Sequence, residues 1–226
     1  MGENLPILSI TTATPVASLA LVQETLVLSE ISFGGGRSHA SHLLPAVDFV
    51  LHQALVEREA LTAIVVCNGP GSFTGLRIGL SFAKGLAESL GVPLILVSSL
   101  LGLAVQCELY AGCIVPLLDA RRDEYYAAVF KSDRGSLTRL TDDLAVKKRE
   151  LRQWLQGLGV GECLVTGDAA DDASRYGPYL VAPLGVRAPR AGVLGLLARS
   201  LPTTDPRHAR PNYIRSSSAE PKKGRV

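Results

Sequence analysis

A chain of 226 residues, 47% of them apolar, can bury one large core or two smaller ones packed together, which excludes a disordered polypeptide. Its formal net charge of +2 provides no basic field able to grip a nucleic-acid backbone unaided, so any RNA contact is expected to be shared with a partner. Cys67, Cys107, Cys113 and Cys163 stand singly with no CxxC pair, which fits reduced cytosolic thiols better than a zinc site or a disulfide framework.

Leu5 to Thr12, Val16 to Val22 and Leu26 to Phe33 are aliphatic and β-branched runs separated by Thr14-Pro15 and Gln23-Glu24, which predicts a three-stranded meander. From Ser41 to Val56 the positions Leu43, Leu44, Val47, Val50, Leu51, Ala54 and Leu55 recur at helical spacing. Pro45 means that this helix either starts near Ser41 or kinks, because proline has no amide to donate. Ala63 to Cys67 reads as a strand leading into a glycine-rich loop, Asn68 to Gly75, and a helix from Leu76 to Leu90 that Gly91 ends.

A strand at Leu94 to Val97, a helix at Leu100 to Leu109 and a strand at Ile114 to Leu118 follow. Tyr125 to Lys131 and Leu137 to Leu144 are expected to pair around Asp133-Arg134-Gly135. A helix at Glu150 to Leu158, a strand at Cys163 to Thr166, a helix start at Asp168 and a helix at Ala191 to Leu201 complete an α/β pattern. A similar but degraded order restarts near Ile114. This predicts two related lobes, 1–103 and 104–215, with the last helix free to pack back on the first, and a disordered tail at 216–226 rich in Ser, Lys and Pro.

The most distinctive segment runs from Asn68 to Gly79. Gly69, Gly71 and Gly75 with Pro70 build a tight turn whose amides can point outward, as in phosphate-binding loops. No GK[ST] follows, so it is not a Walker A loop, and Pro70 takes the first glycine position of a G-x-S-x-G pattern around Ser72. Two readings stay open: an anion cradle using Gly69, Gly71, Ser72, Thr74 and Gly75, or a structural strand-to-helix turn. Asp119 to Tyr126 concentrates charge after an apolar strand, where α/β proteins place ligand contacts, but a charged turn with Arg121 or Arg122 paired to Asp119 or Asp123 explains it as well. His39 and His42 lie three apart without further ligands nearby, so no metal site is expected.

Gly79, Ala83 and Ala87 form a small-residue stripe that can admit another helix. The preceding helix carries Ala46, Phe49 and Val56 off its main apolar face. Leu43, Ala46, Phe49, Val50, Gly79, Leu80, Ala83 and Ala87 are therefore the candidate partner interface, with Ala83 at its centre. The alternative is burial of both helices within their own lobe. Met1 to Leu8 lacks the basic start and cleavage site of a leader, and no run approaches the ~18 apolar residues of a membrane span, so a cytoplasmic protein is expected.

Several segments together resemble the TsaB (YeaZ) family: Ile7 to Thr14, Arg37-Ser38-His39 with Leu43-Leu44-Pro45, the loop Gly69 to Gly79, Leu118 to Arg122, and Pro211 to Arg215. The resemblance implies an actin and sugar-kinase type (ASKHA) fold, two lobes each built on a mixed sheet flanked by helices. It also implies a non-catalytic scaffolding and activating subunit that works with TsaD and the ATPase TsaE to form threonylcarbamoyladenosine beside the tRNA anticodon. On this reading the chain pairs with itself when TsaD is absent, meets tRNA only through the complex, and leaves ATP and metal to the assembly. Thr11 stands where the family usually has aspartate, which argues against ATP hydrolysis here. The competing reading is a stand-alone nucleotide-dependent phosphotransferase or hydrolase using the loop Gly69 to Gly75.

Overall fold

The computed structural model describes residues 5–34 and 39–214. Arg37, Ser38, the side chain of His39, Arg215 and the expected tail lie outside the described residues. In chain order the elements are β1 (Ile7–Thr11), β2 (Val16–Gln23), β3 (Leu26–Gly34), α1 (His39–Ala54), β4 (Ala63–Gly69), α2 (Phe73–Leu90), β5 (Leu94–Ser98) and α3 (Ser99–Val105). Then come β6 (Gly112–Arg121), β7 (Glu124–Ala127), β8 (Phe130–Asp133), β9 (Ser136–Arg139), β10 (Leu144–Lys147), α4 (Leu151–Gly157) and β11 (Cys163–Thr166). The chain ends with α5 (Ala170–Ala173), β12 (Leu180–Val181), α6 (Ala191–Leu197) and β13 (Thr203–Thr204).

β1 is buried along its whole length because it lies inside a sheet covered on both faces, which is why its sequence does not alternate with polar residues. The first sheet has the order β13-β5-β4-β1-β2-β3, antiparallel through β1, β2 and β3 and parallel through β1, β4 and β5. The second has the order β10-β7-β6-β11-β12, antiparallel at β10-β7-β6 and parallel at β6-β11-β12. The path β3-β2-β1-β4-β5 therefore recurs as β10-β7-β6-β11-β12, and the degraded repeat seen in the sequence is a true duplication of lobe topology. The hairpin β8-β9, attached to β6, belongs to the second sheet alone.

One face of the first sheet packs Leu8, Ile10, Leu19 and Leu21 against Leu43, Val47 and Val50 of α1 and Leu80, Ala83 and Ala87 of α2. The other face sets Ile7, Ala20, Val22 and Ile95 against Ala191 and Leu194 of α6 and Ala198. Residues 191–204 thus return to the first lobe, with β13 joining β5 at the sheet edge. The expected 103/104 boundary falls inside α3, whose Leu100 and Leu103 pack with Ile114, Leu118 and Phe130 of the second lobe.

Several expected elements are divided by pairing. The run Tyr125 to Lys131 breaks into β7, which stays between β6 and β10, and β8, which pairs with the beginning of β6. Leu137 to Leu144 splits for the same reason, with β9 held by β8 and β10 crossing to β7. α1 begins at His39, two residues before the expected start near Ser41, and holds Pro45 in its interior. The two-residue strands β12 and β13 are too short for any periodicity to announce them.

The first turn of α6 has no side-chain cap of its own. Its amides are satisfied from the neighbouring sheet: Ala191 N donates to Ser18 Oγ at 3.2 Å and Gly192 N to Glu30 Oε1 at 3.0 Å. Glu30 also accepts from Ser18 Oγ at 3.2 Å and pairs with Arg190. A carboxylate at a helix N-terminus is favourable, and here it fastens the late helix to early strands. Glu30→Ala is expected to cost about 2 kcal/mol in urea denaturation, with α6 amides the first to lose hydrogen-exchange protection.

Candidate functional site

β4 ends at Gly69, where the backbone turns through a cis Gly69-Pro70 bond into α2. Ser72 caps α2 by accepting from Gly75 N at 3.2 Å. The loop is tied to the turn after β1, with Ser72 N donating to Ala13 O at 2.8 Å and Thr12 Oγ1 donating to Gly75 O at 2.7 Å. A Cβ on Gly71 would stand 2.3 Å from Ala13 O, one on Gly75 2.1 Å from Thr12 O, and one on Gly79 2.2 Å from Thr12 Oγ1. These glycines exist so that α2 can rest directly on β1. The structural reading of the loop thus has a definite contact behind it.

The glycine loop and the charged turn, far apart in sequence, meet at a cleft of about 430 Å³. Ala13, Thr14, Gly71, Ser72, Phe73 and Thr74 line one side, and Leu118, Asp119, Arg121, Tyr126 and Asp168 the other. Gly69 lies deeper, packed near Leu76 and Asn212 O, and Gly75 is buried. Thr11 is fully buried at the end of β1 beside Cys67. It is not among the cleft-lining residues.

On the second-lobe side Arg121, Arg122 and Asp123 all take positive φ in the tight β6-β7 turn. Arg121 pairs with Asp119 at 3.2 Å, as the charged-turn reading expects. Asp119 N donates to Asp168 Oδ1 at 3.0 Å. Burial pushes the Asp168 carboxyl above its ordinary range, partly countered by that bond. Behind it, Asp172 Oδ2 accepts from Tyr125 OH and from Lys148 Nζ, each at 2.7 Å, so Lys148 holds the Asp172 carboxyl below its usual range. Sequence reading saw the charge of Asp119 to Asp123 but not Asp168, which carries no motif and is brought in only by the parallel pairing of β6 and β11.

The arrangement has hydroxyls and a helix start facing two carboxylates and an arginine, a set that can hold a small polar ligand. Among the described residues no group of three or more His, Cys, Asp or Glu could hold a metal ion, and His42 is an exposed residue with its ring 5.7 Å from that of Phe33. All four cysteines are free thiols, and burial pushes Cys67 up to about 11 and Cys163 up to about 12.

The expected interface residues lie elsewhere. Leu43, Ala46, Val50, Gly79, Leu80, Ala83 and Ala87 are buried in the chain's own core, and of the eight only Phe49 is exposed. The small-residue stripe is spent on the approach of α2 to β1 and β4, so it does not itself present a surface. The outward face of α2 is one register away, at Phe73, Arg77, Ser81, Gly85 and Ser89, and a Cβ on Gly85 would meet nothing within 4 Å. On α1 the outward apolar residues are Leu44 and Phe49. Near the C-terminus, Asn212 N donates to Asn68 O at 2.7 Å and Arg77 Nε donates to Tyr213 OH at 2.9 Å, which holds the last described residues against the loop.

Two mixed sheets of matching strand order, with a glycine loop from one and a charged turn from the other meeting at a cleft, define the two-lobed actin and sugar-kinase class. Residues 25–164 match the family model described as TsaD, tRNA N6-adenosine threonylcarbamoyltransferase. The tRNA threonylcarbamoyladenosine biosynthesis protein TsaB of Bacillus subtilis is 32% identical over 96% of this chain and 97% of its own length. That of Escherichia coli is 30% identical over 94% and 96%. The solved structure named YeaZ from Pseudomonas aeruginosa superposes with a TM-score of 0.77 at 27% identity, covering 92% of this chain and 99% of that one. The chain belongs to the TsaB (YeaZ) family.

The packing yields two expectations. Gly75→Ala must displace the Thr12 carbonyl and is expected to cost about 3 kcal/mol, whereas Gly85→Ala, in the open helix interior, is expected to stabilise by about 1 kcal/mol; urea titration of both checks this. Because Asp168 is raised in the folded state, its contribution is fully favourable in acid and is lost as pH rises through the folded value. Asp168→Asn keeps the acceptor for Asp119 N and should raise the melting temperature at neutral pH, with the gain vanishing in acid.

Proposed function

We propose that this chain is a non-catalytic scaffolding and activating subunit for the formation of threonylcarbamoyladenosine in tRNA, acting in the cytoplasm by binding a TsaD-type catalytic protein. Kinship along nearly the whole chain with proteins named for that biosynthesis supports the reading. The observation that carries the binding surface is the paired outward face of α1 and α2. Leu44 and Phe49 are about half exposed on α1, which packs against α2, and the exposed Ser81, Gly85 and Ser89 of α2 leave room for a helix backbone. A self-complementary use of the same face accounts for pairing of two copies when TsaD is absent. In this scheme TsaE, ATP and the metal ion act in the assembled complex, which also contacts the tRNA.

The surface is tested with Phe49→Glu and Gly85→Glu, both at exposed positions. Each is expected to weaken TsaD capture and self-association at least about tenfold while leaving the melting temperature within a few degrees of the parent. Ala83→Glu, by contrast, buries a carboxylate in the lobe's own core and is expected to prevent folding, so it cannot report on association. The role itself is tested by threonylcarbamoyladenosine formation on unmodified tRNA with TsaD, TsaE, threonylcarbamoyl adenylate and ATP. Multiple turnover should require this chain, which alone gives none; turnover unaffected by its omission overturns the role.

A further inference from the structure

At the end of the first sheet opposite the cleft lies a second cavity, of about 330 Å³, with no part in the partner assignment. The cleft gathers where β1 and β4 finish; this cavity gathers where β1 and β5 begin, on the α6 side of the sheet. Its lining is mostly aliphatic, with Ile7, Val22 and Ile95 from the sheet, Ala198 just after α6, and Leu5 and Pro93, and Thr62 and Thr203 add two hydroxyls. Two charged residues of opposite sign border it. Glu24 sits in the β2-β3 turn with a positive φ of 52°, and Arg199 stands in the 3-10 turn Ala198–Ser200.

Both side chains are exposed, and neither makes an ion pair or side-chain hydrogen bond with another described residue. They are not spent on each other or on a neighbour. A mostly apolar hollow at the small end of ligand-pocket sizes, bordered by one unpaired anion and one unpaired cation, suits a ligand with an aliphatic body and both charges. A simple fatty acid would satisfy Arg199 but face Glu24, and an alkylamine would do the reverse.

We propose that this cavity binds a free aliphatic α-amino acid, its side chain on Ile7, Val22 and Ile95, its carboxylate on Arg199 and its ammonium on Glu24. At neutral pH such a molecule carries both charges on one carbon, and the charge match supplies orientation while the aliphatic lining supplies size selection. The absence of an aromatic ring among the lining residues fits a branched aliphatic side chain better than a flat one.

The test is isothermal titration calorimetry of the full chain with L-leucine, 4-methylpentanoate and isopentylamine, repeated on Arg199→Gln and Glu24→Gln. Both positions are exposed, so the variants should melt with the parent protein. The expected result is saturable one-site binding of leucine, at least about tenfold weaker in each variant and for each single-charge analogue. No saturation at millimolar leucine overturns the proposal. Equal affinity in parent and variants overturns the assigned site, and equal affinity for leucine and 4-methylpentanoate overturns the amino-acid class in favour of a simple carboxylate.

Discussion

The close seat of α2 on the turn after β1 is the contact from which the rest of the first lobe takes its geometry. Three glycines spaced four apart, Gly71, Gly75 and Gly79, leave no Cβ between the helix and the atoms of Thr12 and Ala13. Thr12 Oγ1 and Ser72 N then bind across the gap, so the approach is hydrogen-bonded as well as close. With that face of α2 committed inward, Ser72, Phe73 and Thr74 come to the cleft and Ser81, Gly85 and Ser89 turn outward. One steric requirement thereby sets both the cleft wall and the face of α2 left exposed.

The two lobes share a strand order, yet they are not built from separate lengths of chain. α6 and β13 come last in sequence and complete the first lobe, covering the sheet face that α1 and α2 leave open. Glu30 and Ser18 cap α6 from β3 and β2, so residues more than 150 positions apart close one helix end. The second lobe departs from the first by the hairpin β8-β9 and by a part-buried polar knot in which Tyr125 and Lys148 share one oxygen of Asp172. Such a knot holds α5 to β7 and to the 3-10 turn that follows β10, behind the cleft.

The fold was largely legible because its strands and helices follow hydrophobic periodicity. β11 was read to its end residues, and Gly91 terminates α2 in the left-handed conformation that glycine adopts without strain. Legibility failed where pairing decides: nothing in Tyr125 to Lys131 or Leu137 to Leu144 says which neighbour each half will choose. The cleft was half visible, since the glycine loop and Asp119 to Arg122 each stood out, but their meeting and the recruitment of Asp168 depend on the parallel pairing of β11 with β6.

The α/β class, the duplication and the family could be read from local pattern and motif, and so could the surplus of apolar and small residues on two helices. Which faces of those helices are free was settled by packing alone. Small residues permit close approach without saying to what. Gly79, Ala83 and Ala87 could have received a foreign helix or their own sheet, and the space left by missing side chains is the same in either case. Burial settles it: β1 and β4 take that space, and the next register of α2 faces solvent.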